Sequence, residues 1–176
     1  MADATIDPPP TLLIAGAGHV GQALARVVSR LGFDVVVIDD RADLASPARF
    51  PESRMVVGEI DTELRRFPID SRTYVVIVTR GHKHDGQALA AVVDSPARYV
   101  GLIGSKRKIH KIYEDLEHAG IAREMLERVY APIGLDIAAV SVEEIALSIA
   151  AELVAVKRGR GGMAAEPMKL RRERKE

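Results

Sequence analysis

The residues Thr11-Leu-Leu-Ile-Ala-Gly16-Ala-Gly18-His-Val-Gly21-Gln-Ala-Leu-Ala-Arg-Val-Val28 leave the chain little choice of fold. A short apolar run meets three glycines, and an amphipathic helical pattern follows. Gly16 can take the tight turn after a strand, Gly18 has no Cβ to block a pyrophosphate, and Gly21 lets the new helix lie close against that strand. The free N–H groups at the helix start, around His19 and Val20, then face an anion.

Glycine spacing alone is a weak signal, so its context decides the reading. Leu31-Gly32-Phe33 closes the helix, Asp34-Val-Val-Val-Ile38 is an apolar β-branched run, and Asp39 and Asp40 end it. An acid roughly 20 residues past the glycines is where a ribose 2′-OH is usually accepted. Asp39 is the better placed, directly after the strand, and it would repel a 2′-phosphate. Arg41 beside it softens that preference. The alternative is a strand–helix–strand unit whose glycines are purely structural.

Size and composition bound the rest. The chain has 176 residues, 47% of them hydrophobic, which supports one domain with a substantial core. Its net charge of zero attracts neither nucleic acid nor an anionic membrane. No apolar run reaches the ~20 residues of a membrane span, and the first ten residues lack the pattern of a signal peptide, so the expected compartment is the cytoplasm. Cysteine is absent, which excludes disulfides, thiolate nucleophiles, a persulfide relay and thiolate metal ligands on this chain.

Pro8-Pro9-Pro10 ends a flexible leader, residues 1–10, and the fold starts at Thr11. Further strands are expected at Arg54–Val57, Thr73–Thr79 and Arg98–Ile103, with a short turn of helix between Glu59 and Arg72 and longer helices over 85–93 and about 106–117. A short helix over 122–129 follows. Strands alternating with helices predict an α/β, doubly wound parallel sheet in the order 3-2-1-4-5, with helices on both faces. Ser141-Val-Glu-Glu144 is a capping box that starts a helix running to about Lys157. That helix is apolar so far round that it is either wedged between sheet and helices or shared with a second copy of the chain in a homodimer. Residues 159–176 read as a disordered basic tail.

Two segments join the glycine turn at the strand ends. Thr79-Arg80-Gly81-His82-Lys83-His84-Asp85-Gly86 reads as a polar loop at the edge of a central strand, in the usual ligand crevice. Gly104-Ser105-Lys106-Arg107-Lys108 is a second strand–glycine–helix junction. Cations at a helix start oppose its dipole by ~0.3–1 kcal/mol each. Either an anionic ligand compensates, with Ser105 and Lys106 as its contacts, or the face is simply solvated. Tyr130-Ala-Pro132-Ile-Gly134-Leu-Asp136-Ile is too apolar for a surface loop and is expected to fold over the crevice.

No metal site and no catalytic residue emerges. His82 and His84 have no third ligand at a recognisable spacing, so zinc is not expected. An anion-binding or proton-handling role suits His82, His84 or His19 better. Ser105 has no base beside it in sequence, and the Asp39-Asp40 pair does not face itself across a cleft.

Taken together, Gly16-Ala-Gly-His-Val-Gly21, Val37-Ile-Asp-Asp-Arg41, Arg49-Phe-Pro51, Thr79-Arg-Gly-His-Lys-His-Asp85, Tyr99-Val-Gly-Leu-Ile-Gly-Ser-Lys-Arg107 and Ala131-Pro-Ile-Gly-Leu-Asp-Ile137 resemble the Rossmann domain of the XdhC/CoxI family, over residues 11–158. That resemblance implies a Rossmann-like fold and a maturation factor for molybdenum hydroxylases such as xanthine dehydrogenase or carbon monoxide dehydrogenase. It implies binding of the molybdenum cofactor, as molybdopterin or its dinucleotide, and help with its sulfuration and insertion. The implied partners are the hydroxylase apoenzyme, a cysteine desulfurase and a separately encoded N-terminal-type XdhC domain, because the cysteine-bearing domain of longer members has no counterpart here. Ala138 also stands where the family pattern has glycine. The preferred reading is thus a chaperone rather than a catalyst. The second is an NAD(P)-dependent oxidoreductase or nucleotide-sensing module.

Overall fold

Short apolar strands separated by helices can form one sheet only through parallel crossovers. The computed structural model, which describes residues 8–160, follows that rule. Its elements are β1 (Thr11–Ala15), α1 (His19–Val28), β2 (Asp34–Asp39), β3 (Arg54–Val57), α2 (Ile60–Arg66), β4 (Thr73–Ile77), α3 (Gly81–Val92), β5 (Tyr99–Leu102), α4 (Lys106–His118), α5 (Arg123–Leu126) and α6 (Val142–Lys157). The five strands pair in parallel in the order β3-β2-β1-β4-β5, the Rossmann arrangement expected from the sequence. Residues 1–7 of the expected leader and 161–176 of the expected tail lie outside the described residues.

Strand alternation divides the core in two. Leu12, Ile14, Val35, Val37, Tyr74 and Val76 face α1 and α6, whereas Leu13, Val36, Ile38, Val75 and Ile77 face α2, α3, α4 and α5. Both faces of the central strands are therefore buried, as a parallel sheet requires. Each such Leu or Ile contributes about 1.5–3 kcal/mol by leaving water. No helix among the described residues is long and apolar enough to cross a membrane.

The helix α6 begins at the predicted capping box. Ser141 Oγ accepts the Glu144 N–H at 3.1 Å, and Glu144 Oε2 accepts the Ser141 N–H at 2.8 Å. Ala146, Ile149, Ala150, Leu153 and Val156 are buried against α1 and the sheet, so the helix is wedged, while Leu147 stays exposed. One acid is wedged with it. Glu152 Oε1 accepts from the Tyr99 hydroxyl at 2.5 Å and from the Gly134 N–H at 3.0 Å. Burial raises this carboxyl above its ordinary value, although both donors pull the other way.

Three local expectations change. The stretch over 81–84 is the first turn of α3 and not a loop; its polar residues carry no apolar period, which hid the helix start. Strands β4 and β5 end sooner than their apolar runs suggest, at Ile77 and Leu102; Val78 and Ile103 each keep one bond to the neighbouring strand, to Ala15 O at 2.9 Å and Ile77 O at 3.0 Å, before the chain leaves the sheet. The segment from Tyr130 lines up beside β5. Tyr130 N–H donates to Val100 O at 2.9 Å, Leu102 N–H to Tyr130 O at 3.0 Å, and Ile133 N–H to Leu102 O at 3.0 Å. The Ala131–Pro132 bond within it is cis.

Candidate functional site

The three glycines of the first crossover do three different things. Gly16 sits at φ +119°, and a Cβ there would stand 2.5 Å from Val78 O, so the turn after β1 admits only glycine. A Cβ on Gly21 would collide with Gly16 O, which holds α1 tight to its strand. Gly18 differs. It has ordinary extended geometry at the N-cap, and a Cβ there would meet nothing within 4 Å. The space its side chain would fill lies open above a helix start that has no side-chain cap and no acid in its first turn. Such an end presents unpaired N–H groups and partial positive charge.

Two acids follow on β2 and its end. Asp39 is buried and accepts from Ala17 N–H at 2.6 Å, tying the end of β2 to the glycine turn. Arg41 grips the same carboxylate through Nε at 2.8 Å and Nη2 at 2.9 Å. Asp40 pairs with Arg80 Nη2 at 3.2 Å. That pair joins the ends of β2 and β4, the two strands that flank β1, and so spans the mouth of the crevice.

On the far side lies a buried ionic group. Asp85, on the first turns of α3, is fully buried; its Oδ1 accepts from Thr79 Oγ1 at 2.5 Å and its Oδ2 pairs with Lys108 Nζ of α4. The contact pins the ends of β4 and β5 together through the helices that leave them.

A family model, the XdhC Rossmann domain, matches residues 12–153. The chain belongs to the XdhC Rossmann-domain family. It is 33% identical over 161 residues to the uncharacterized protein YqeB of Escherichia coli K12, a match covering 90% of this chain and 29% of YqeB. It is 27% identical over 157 residues to a probable xanthine dehydrogenase subunit from Bacillus subtilis 168, covering 87% and 44%. Among solved structures, one described as a xanthine dehydrogenase from Bacillus halodurans superposes with a TM-score of 0.78 at 31% identity, covering 90% of this chain and 46% of that one. The chain thus spans less than half the length of each of these relatives.

Within this XdhC Rossmann domain the remaining expected residues fall in different places. Val20 is half-buried, and His19 opens α1, lining a cavity of about 190 Å³ with Gln22, Arg26, Val142 and Glu143. Thr79, Arg80 and Gly81 stand together where β4 passes into α3. His82 turns toward α4, its Nε2 3.6 Å from Asp115 Oδ2, and His84 is exposed on α3. Among the described residues no three His, Asp or Glu side chains converge as a metal site would need. Gly104, at φ +156°, opens the second junction; Ser105 caps α4 by accepting the Lys108 N–H at 3.3 Å, and Lys106 is exposed. Pro132 lies half-buried beside β5.

Asp85 and Lys108 are the site residues that sequence reasoning passed over. The signal for Asp85 was available: it precedes Ala88, Leu89 and Val92 by three, four and seven residues, which places it on the buried stripe of α3.

Proposed function

We propose that this domain is an accessory factor for a molybdenum hydroxylase of the xanthine dehydrogenase type, and that its crevice holds the phosphate of the molybdenum cofactor, as molybdopterin or its dinucleotide. The start of α1 carries the reading: an uncapped helix N-terminus under a glycine whose absent side chain leaves room for an anion. Family membership and the names of the Bacillus relatives support the association with xanthine dehydrogenase.

The residues present fit a phosphorylated group. The amides of Gly18, His19 and Val20 would donate to phosphate oxygens, and Arg80 stands at the crevice mouth. Ser105, Lys106 and Gly104 form a second cationic edge at the end of β5. The cofactor supplies redox chemistry when it reaches the client enzyme. This chain's own part is to bind and orient, and since these 176 residues hold no cysteine, sulfur transfer falls to a cysteine desulfurase working beside the apoenzyme.

Reconstitution tests this directly. A cofactor-free hydroxylase is incubated with molybdenum cofactor and a desulfurase, with and without this protein, and recovered activity is measured. Higher recovery is expected with the protein present. No stimulation, together with a substrate-dependent change in nicotinamide absorbance, would establish the NAD(P)-dependent oxidoreductase instead.

A further inference from the structure

A carboxylate has two oxygens and room for about four donors. Asp39 spends all of that capacity inside its own chain. Its Oδ1 accepts from the Arg41 N–H at 2.9 Å and Arg41 Nε at 2.8 Å, and its Oδ2 from the Ala17 N–H at 2.6 Å and Arg41 Nη2 at 2.9 Å. The side chain is 1% exposed, so a hydroxyl can reach neither oxygen without displacing one of these donors. Burial works against the charge, but the hydrogen bonds from Arg41 and Ala17 outweigh it and hold the carboxyl at about 2.

The position of Asp39 at the end of the second strand is where a dinucleotide fold keeps a free acceptor for ribose hydroxyls. Here that acceptor is occupied; the neighbouring Asp40 gives its Oδ2 to Arg80 and holds its Oδ1 3.8 Å from Arg41 Nε, an ion-pair distance. We infer that Asp39 and Arg41 form a clamp that holds the glycine turn and sets specificity by withholding the acceptor a ribose diol needs. The inference rests on the phosphate-binding reading above. It narrows the ligand to phosphate and pyrophosphate esters whose affinity owes nothing to a vicinal diol. The clamp also withdraws the Ala17 amide from the ligand, so the grip falls on the amides at the start of α1.

Calorimetric titration of the full chain with ADP, 2′,3′-dideoxy-ADP and inorganic pyrophosphate tests it. ADP and its dideoxy analogue are expected to bind within about twofold of each other, since Asp39, the acceptor at the end of β2, is closed to the diol. Arg41→Ala bares Asp39, and ADP should then bind about tenfold or more tightly than the analogue. A tenfold preference for ADP in the unsubstituted protein overturns the inference, as does equal binding of the two nucleotides in a folded Arg41→Ala protein. Should that variant not fold, judged by circular dichroism, the comparison in the unsubstituted protein decides. Failure of all three probes to bind removes the phosphate-binding reading and this inference with it. Diol preference with pyrophosphate binding intact removes the inference alone.

Discussion

The carbonyl oxygen of Gly16 lies against the α-carbon of Gly21, too close for any side chain to stand between them. Gly16 belongs to the turn after β1 and Gly21 to the buried face of α1, so one contact fixes how near the helix approaches the sheet. Gly21→Ala must push α1 outward and disturb its packing against α6. A loss of about 2 kcal/mol or more is expected, read as a lower midpoint in urea with the slope unchanged.

Gly18→Val separates binding from folding. The added side chain enters open space and the backbone there suits any residue, so the cost is confined to a poorer N-cap, about 1 kcal/mol. Pyrophosphate affinity should nonetheless fall by about tenfold or more as the isopropyl group covers the helix amides. A folded variant with unchanged affinity would move the ligand away from this crevice.

Lys108→Ala would strand a fully buried carboxylate, since the lysine is its only cationic partner among the described residues. The expected penalty is about 3–5 kcal/mol, measured by chemical denaturation. Replacing both partners, Asp85→Leu with Lys108→Met, should recover most of that loss, because the pair's desolvation disappears with its attraction. A double variant as unstable as the single one would show that Asp85 matters through Thr79 rather than through Lys108.

Two carboxyls respond to pH with opposite sign. Asp39 titrates at about 2 in the folded protein against 3.8 for an ordinary aspartate. Its contribution, on the order of 2 kcal/mol, is present above the ordinary value and lost as pH falls through the folded one. The stability advantage of the unsubstituted protein over Asp39→Asn should therefore shrink on acidification toward pH 2. Glu152 is raised above 4.5, so the folded state holds its proton more tightly than the unfolded chain. That contribution is present below the ordinary value and lost as pH rises through the folded one. Glu152→Gln should gain on the unsubstituted protein as pH rises from 4.5, in denaturation midpoints measured across that range.

Backbone constraints were legible in the residues; side-chain direction was not. Gly16 and Gly21 announce their roles because nothing else fits where they stand, and the capping box at Ser141 is a local pattern that needs no tertiary knowledge. The sheet order followed from alternation alone. Asp39 is the contrary case. Its place at the end of β2 was plain, but nothing in the spacing says that Arg41 folds back on it or that the Ala17 amide, 22 residues earlier, fills its last lone pair. Lys108 was hidden similarly, since three consecutive cations look alike until α4 turns one of them inward toward Asp85.

The run of chain from Tyr130 to Ile133 shields one flank of the sheet. An incoming β-strand from another molecule finds the hydrogen-bonding row of β5 already taken, and must dock instead at β3, whose four residues are half exposed and begin with an arginine paired to Asp34. A short, charged flank is a poor template for uncontrolled strand addition. With β5 covered and β3 a poor template, the helices and loops of the described residues offer a partner more surface than either edge of the sheet.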